Sequence, residues 1–148
     1  MPGWVAAGFA EYAGRMPREA TIELIQVRPE PRPAKPSPAI ISKLVAAEGK
    51  RLLACRPAKC STVALDERGQ ALTSGGLAQK MQSWMYRGRD VAFLIGGADG
   101  LDERVKQEAS LLISLSSMTL PHQLVRVLLA EQLYRAVCLV RHHPYHRG

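Results

Sequence analysis

Leu115-Ser116-Ser117-Met118-Thr119-Leu120-Pro121-His122 is the stretch on which the fold turns. Before it, Leu111, Leu112, Ile113 and Leu115 make an apolar run of strand type, and after it Gln123 to about Val140 is a long amphipathic run. Pro121 is placed to open that helix, because proline suits the first helical position, where a missing N–H costs nothing. Ser116, Ser117 and Thr119 leave the intervening backbone exposed. A strand that ends in a small polar loop is where open α/β sheets take their ligands. Ile95-Gly96-Gly97-Ala98-Asp99-Gly100-Leu101 forms a second such junction just upstream. Two junctions with so little side-chain chemistry predict a pocket that reads its ligand mostly with backbone.

Working outward, strands and helices alternate. Val91 to Ile95 is a continuous apolar strand, the type buried on both faces. Asp102 to Ala109 reads as a short helix leading to the strand at Leu111. Leu77, Met81, Trp84 and Met85 lie on one face of a helix, with Ser74 its expected N-cap and Gly88 its end. Thr62 to Leu65 is expected as a short buried strand ending in the turn Asp66-Glu67-Arg68-Gly69. Ala39 to Leu53 is helical and stops before Pro57. Five prolines fall between positions 29 and 38, with Arg28, Arg32 and Lys35 among them. That basic stretch, 28–38, reads as a plain solvated or polyproline-like connection in preference to a loop that touches RNA or covers a site. Thr21 to Val27 alternates imperfectly and reads as a strand, while Trp4, Val5, Phe9 and Tyr12 share one face of a first helix ending near Gly14. This alternation predicts a parallel α/β sheet in one domain spanning 1–148.

Composition narrows the function. At 148 residues, with 47% hydrophobic and 22% charged residues, the chain can bury a substantial core. No apolar run reaches membrane-span length, and no basic-then-apolar leader opens the chain. Three cysteines, Cys55, Cys60 and Cys138, form neither a metal-type pair nor a disulfide framework, so they are expected to be reduced thiols in a cytoplasmic protein. A net charge of +7 and a pI near 9.7 point toward a polyanion, most simply nucleic acid.

The glycine loop follows a strand and precedes a helix, yet it is neither a dinucleotide fingerprint nor a P-loop. Asp99, Asp102 and Glu103 would repel a triphosphate. An adenosine ligand without phosphate suits it better, especially a cationic one such as S-adenosylmethionine, although a bare Gly-Gly after a strand is also an ordinary tight turn. The tail Arg141-His142-His143-Pro144-Tyr145-His146-Arg147 mixes aromatic and cationic groups, which suits RNA. Its histidines lie on an irregular segment, so no metal site is expected. His122 reads equally as a structural hydrogen-bonder or a catalytic group. Arg126 and Arg135, nine residues apart on one helix, face roughly opposite sides. No Ser–His–acid set or cleft-like carboxylate pair is present.

Phe93 to Leu101, Leu115 to His122, the helix from Leu124 to Ala136 and the closing His143-Pro144-Tyr145-His146-Arg147 together resemble the ribosomal RNA large-subunit methyltransferase H family, of the SPOUT class. Weaker matches at Leu65 to Gly69, Gly88 to Val91 and Met16-Pro17 extend the resemblance over nearly the whole chain. It implies an α/β fold whose C-terminal part, about 91–148, carries the cofactor loops and a trefoil knot, and a homodimer. It also implies methyl transfer from S-adenosylmethionine to N3 of a pseudouridine in 23S rRNA, on assembled ribosomes and without metal. Carried over, the cofactor site is Leu65, Gly96, Gly97, Leu115, Ser116, Ser117, Met118, Thr119 and Leu120. Tyr145 and His146 are expected near the target base, with Arg135, Arg141, His143 and Arg147 toward the RNA.

Members of that family open with an apolar strand ahead of the position of Met1. This chain starts without it, short by roughly five to ten residues. The competing expectations are a catalytically silent ribosome- or RNA-binding module, silent for want of that strand, and a nucleotide-binding enzyme unrelated to RNA.

Overall fold

Five helices and three strands form among the residues described by the computed structural model, 1–142 and 145. The first four elements in chain order are α1 (Gly3–Ala13), α2 (Pro38–Ala54), β1 (Ser61–Ala71) and α3 (Ser74–Arg87). Then come β2 (Val91–Leu94), α4 (Glu103–Glu108), β3 (Leu111–Ser114) and α5 (His122–Val140). A single 3-10 turn, Arg18–Ala20, lies between α1 and α2. The chain gathers into two compact units. A sheet unit comprises Ile25–Gln70 and Asp90–Ser114, and a helical unit comprises Met1–Leu24, Ala71–Arg89 and Leu115–Gly148.

In the sheet unit the strand order is β2-β1-β3, and the strands are parallel as the alternation of elements predicts. Ser61 pairs with Val91 and Ala64 with Leu94, so the first four residues of β1 run beside all of β2. Ser110, just before β3, ties it alongside, its N–H and its hydroxyl both donating to the Thr62 carbonyl at 2.9 and 3.0 Å. Ala64, Leu94, Leu101 and Val105 form the core, with Leu52, Leu53, Ala92, Ala109 and Leu112 packed around them. Each large aliphatic side chain withdrawn from water there contributes about 1.5–3 kcal/mol.

The helical unit is built on α5, against which α1 and α3 pack. Leu77 and Met81 of α3, Val5 of α1, and Leu129, Leu133 and Val137 of α5 are buried. The Ser74 hydroxyl donates to Gln132 Oε1 at 2.7 Å and ties α3 to α5. Gly88, in the left-handed region at φ 67°, closes α3 where the sequence places its end.

Several local expectations are corrected. Thr21 to Val27 joins no strand: Ile22, Leu24 and Val27 are half-buried, and no ladder partner exists among the described residues. β1 does not turn at Asp66-Glu67-Arg68-Gly69 but continues to Ala71. Gly69 permits this, because a Cβ there would stand 2.7 Å from backbone atoms of Leu112 and Ile113. The cap of α3 is Thr73, whose hydroxyl accepts from the Gly76 N–H at 2.9 Å, and not Ser74, which is spent on Gln132. Pro121 is the N-cap of α5 and not its first helical residue. β2 is covered less than expected, with only Leu94 fully buried.

Candidate functional site

β2 ends at Leu94 and the glycine loop begins one residue later, at the C-terminal edge of the parallel sheet. Leu65 follows Ala64, the partner of Leu94, so it lies near the end of β2, although β1 runs on past it to Ala71 and Leu65 does not end its strand as expected. The loop is a tight backbone turn. Gly97 and Gly100 pair as an isolated antiparallel bridge, and the Gly100 N–H donates to the Gly97 carbonyl at 3.1 Å. Gly96 is a steric necessity, since a Cβ there would lie 2.5 Å from the carbonyl carbon of Gly100 and 2.8 Å from the Leu101 nitrogen. Gly97 is the opposite case: nothing stands within 4 Å of where its Cβ would be. A ligand can therefore approach the backbone at Gly97 while Gly96 keeps the turn shut behind it. This arrangement fits an adenosine cofactor held by main chain.

The acidic loop does not present a bare carboxylate, as its sequence suggests. Asp99 accepts from Arg32 Nε at 3.0 Å, and Arg32 also grips Glu48 with both terminal nitrogens, at 2.9 and 3.1 Å. Burial alone would push the Glu48 carboxyl up, but hydrogen bonds from Arg32 and the Glu30 N–H, with the charges of Arg32 and Arg51, hold it below its ordinary range. Residues 28–32 of the proline-rich stretch are thus fastened, while the stretch stays exposed to solvent apart from Glu30 and Pro36. Nothing in the sequence marks Arg32 among its neighbours: Arg28 and Lys35 sit in the same stretch, and its partners lie 16 and 67 residues away.

Leu115 follows directly on β3 and belongs, with the rest of 115–120, to the helical unit. Its backbone is folded by its own side chains: the Met118 N–H donates to Ser116 Oγ at 2.9 Å. Ser117, Met118 and Thr119 are exposed, while Leu115, Ser116 and Leu120 are half-buried. His122 opens α5, and burial first, then the charge of Arg126, holds its imidazolium below the ordinary range. Its surroundings therefore favour the neutral imidazole. Next to it, the Gln123 Oε1 is shielded from solvent and accepts no hydrogen bond among the described residues, so it is an acceptor suited to a bound donor.

Midway along α5, Glu131 gathers several donors. It accepts from Arg135 at 2.9 and 2.6 Å, from Gln132 at 2.8 Å and from the Tyr145 hydroxyl at 3.2 Å. Tyr145 packs edge-on against Tyr134 at 4.7 Å between centroids, with the Arg135 guanidinium 5.0 Å from its ring. Burial first, then the Glu131 charge, pushes the Tyr145 phenol up to about 12. Tyr145 is therefore a donor and a packing surface at neutral pH, not a proton acceptor. Arg135, expected toward RNA, is engaged with Glu131 and Tyr145. Arg141 is more open: it pairs with Glu19, and both side chains remain about half exposed, at 48% and 51%. His143, His146 and Arg147 lie outside the described residues. Glu131 was not singled out from the sequence, where a Glu-Gln pair within a helix looks like ordinary solvated surface.

The cysteines are free, with Cys138 buried and Cys55 exposed. Among the described residues no cluster of three His, Cys, Asp or Glu is placed to hold a metal ion, and no helix is long and apolar enough to cross a membrane.

Over residues 1–146 the chain matches the family described as "Predicted SPOUT methyltransferase". It is 55% identical to the "Ribosomal RNA large subunit methyltransferase H" of Nitrosospira multiformis over 148 residues, all of this chain and 93% of that protein. A protein of the same name from Burkholderia thailandensis is 54% identical over 148 residues, again all of this chain and 93% of the relative. The one from Bordetella avium is 50% identical with the same coverage.

Proposed function

The chain belongs to the SPOUT methyltransferase family, and from that premise we propose that it methylates N3 of a pseudouridine in 23S rRNA on the assembled ribosome, with S-adenosylmethionine as donor. The observation that carries this reading is the open backbone at Gly97, just past the end of β2 and near Leu65 of β1. It is supported by relatives named for ribosomal RNA methylation that match the chain end to end.

In this reading Leu65, Gly96 and Gly97 are cofactor-binding residues, as are Leu115 through Leu120. When bound, the cofactor supplies a methyl group already activated by its sulfonium. The protein's own task is then to hold the nucleophilic nitrogen in line and to exclude competing water. The N3 proton must leave. Tyr145, held protonated by burial and by Glu131, positions the base as a donor and aromatic surface, with His146 also near the base. Phosphates fall to Arg141, His143 and Arg147. Arg135 serves the RNA indirectly, by fixing Tyr145. The same reading includes a C-terminal knot, a homodimer and a cytoplasmic place of work, and it requires no metal.

The test is transfer of labelled methyl groups to undermethylated 70S ribosomes, with free 23S rRNA alongside and with S-adenosylhomocysteine or ATP as competitor. Label on pseudouridine in ribosomes only, suppressed by S-adenosylhomocysteine but not by ATP, is the expected result. Ribosome binding with no transfer and no response to cofactor would replace the proposal with the silent binding module.

A further inference from the structure

We infer that Arg32 is a positioning residue for the glycine loop, a clamp by which the proline-rich stretch locks residues 96–100 in their receptive shape. The inference rests on the cofactor reading of that loop and adds to it a component that the loop does not itself contain. Between Gly96 and Gly100 the only polar side chain is that of Asp99, so it is the single handle by which the rest of the protein can hold the turn. Arg32 takes that handle with Nε at 3.0 Å.

The other end of the clamp is anchored on α2. Both terminal nitrogens of Arg32 grip Glu48, whose side chain is only 14% exposed. Glu48 also accepts the Glu30 N–H at 2.9 Å, and Arg32 Nη1 donates to the Glu30 carbonyl at 3.0 Å. One turn further along α2, Arg51 donates to the Arg28 carbonyl at 2.9 Å and pairs with Glu30. Residues 28–32 are therefore fastened to the helix at several points. Pro29, Pro31 and Pro33 fix φ around Glu30 and Arg32, so little backbone freedom is lost when the side chain engages.

The geometry selects arginine. A planar fork that holds one carboxylate through two nitrogens and a second carboxylate through the third cannot be copied by an ammonium point charge. Arg32 also offsets the Asp99 charge, so attraction of a cationic ligand to this loop does not come from Asp99. The clamp acts by shape.

Three variants test this: Arg32→Ala, Arg32→Lys and Asp99→Asn. The last removes only the loop end of the clamp and leaves the Arg32–Glu48 anchor in place, so it covers the case in which Arg32→Ala fails to fold. Amide hydrogen exchange across residues 96–101 is measured without ligand, and S-adenosylhomocysteine affinity by calorimetry. Exchange is expected to accelerate in Arg32→Ala and Asp99→Asn, and affinity to weaken about three- to tenfold, as for loss of a partly exposed charge-assisted contact. The KM for S-adenosylmethionine should rise in step while kcat at saturation stays within about twofold, and Arg32→Lys should recover only part of the loss. Exchange and affinity both unchanged in folded Asp99→Asn would overturn the inference. Accelerated exchange in a protein whose wild type binds no S-adenosylhomocysteine would instead sink the cofactor reading and leave the clamp standing.

Discussion

The glycine loop of the sheet unit and the Glu131 cluster of the helical unit are built in opposite ways. In the loop the functional surface is main chain: Gly96 cannot carry a Cβ, Gly97 has open space, and one side chain, Asp99, is held from outside. In the cluster the backbone is a regular helix, and the arrangement lives in side chains, with Glu131 accepting from Arg135, Gln132 and Tyr145. A backbone-built site tolerates almost no change at its hinge, because closed turns do not deform gradually. A side-chain hub loses its members one at a time. That contrast orders the effects expected from mutation.

The largest belongs to Gly96. Gly96→Ala places a Cβ 2.5 Å from the Gly100 carbonyl carbon, and backbone on both sides must move. Overpacking of this kind costs about 1–3 kcal/mol of stability. Displacing the loop by an ångström is expected to slow methyl transfer about a hundredfold. Gly97→Ala sharpens the point, since its Cβ meets nothing within 4 Å. It should leave the melting temperature within about 1 °C, yet weaken S-adenosylhomocysteine binding about tenfold, or ~1.4 kcal/mol, by blocking close approach. Equal effects of the two alanines on thermal unfolding would show that the loop is not closed as described.

Glu131→Gln comes next. It keeps the shape but removes the charge to which Arg135 and Tyr145 answer. Hydrogen bonds to charged groups contribute about 1.5–3 kcal/mol, and a partly exposed hub belongs at the low end. The direct readout is spectrophotometric. Tyr145, held protonated to about pH 12, should ionise at lower pH once the Glu131 charge is gone. Titration of tyrosinate absorbance in the two proteins measures the shift, and an unmoved highest midpoint would remove Glu131 from the account.

These two sites also differ in how far they were legible beforehand. The glycine loop and the segment 115–120 stand out because glycine and small polar residues after an apolar run are local signals, and local signals survive in a one-dimensional reading. Leu65 has no such signature; only its place one residue past Ala64, the partner of Leu94, sets it near the end of β2, and family resemblance alone points to it. Arg32 and Glu131 were invisible for the same reason. Their partners lie far along the chain or on another helical turn, and any arginine in a proline-rich stretch looks alike. The misread strand at 21–27 failed differently. Its alternation of exposed and half-buried residues is real, but alternation reports covering of one face and not the presence of a hydrogen-bonding neighbour. β1 overran its expected turn because Gly69 was read as a turn residue when it is a point of close strand approach.

A smaller, pH-dependent effect is expected at His122. Its folded pKa is lowered from 6.5, so the unfolded chain binds the proton more readily than the native one. Stability from this source is present above 6.5 and is lost as pH falls through the lower folded value. His122→Gln should flatten the decline of melting temperature between about pH 7 and 5 without altering the plateau above it. A profile identical to wild type would mean that the imidazole is hydrated and already at its ordinary value.

The smallest expected change in stability separates holding from binding. Arg141 and Glu19 are each about half exposed, at 48% and 51%, so their pair contributes about 0–1 kcal/mol. Glu19→Gln should leave thermal unfolding within about 1–2 °C of wild type. If Arg141 serves phosphates, the same change frees a cation, and binding to RNA should strengthen with a steeper dependence on salt. Arg141→Gln should do the reverse, weakening RNA binding and lowering the salt slope by about one contact, again with little loss of stability. Glu131→Gln provides the contrast, because Arg135, released there, loses a structural partner as well as a counter-charge and the protein destabilises. Equal salt slopes for Glu19→Gln and wild type would take Arg141 out of the RNA surface and leave the phosphates to His143 and Arg147.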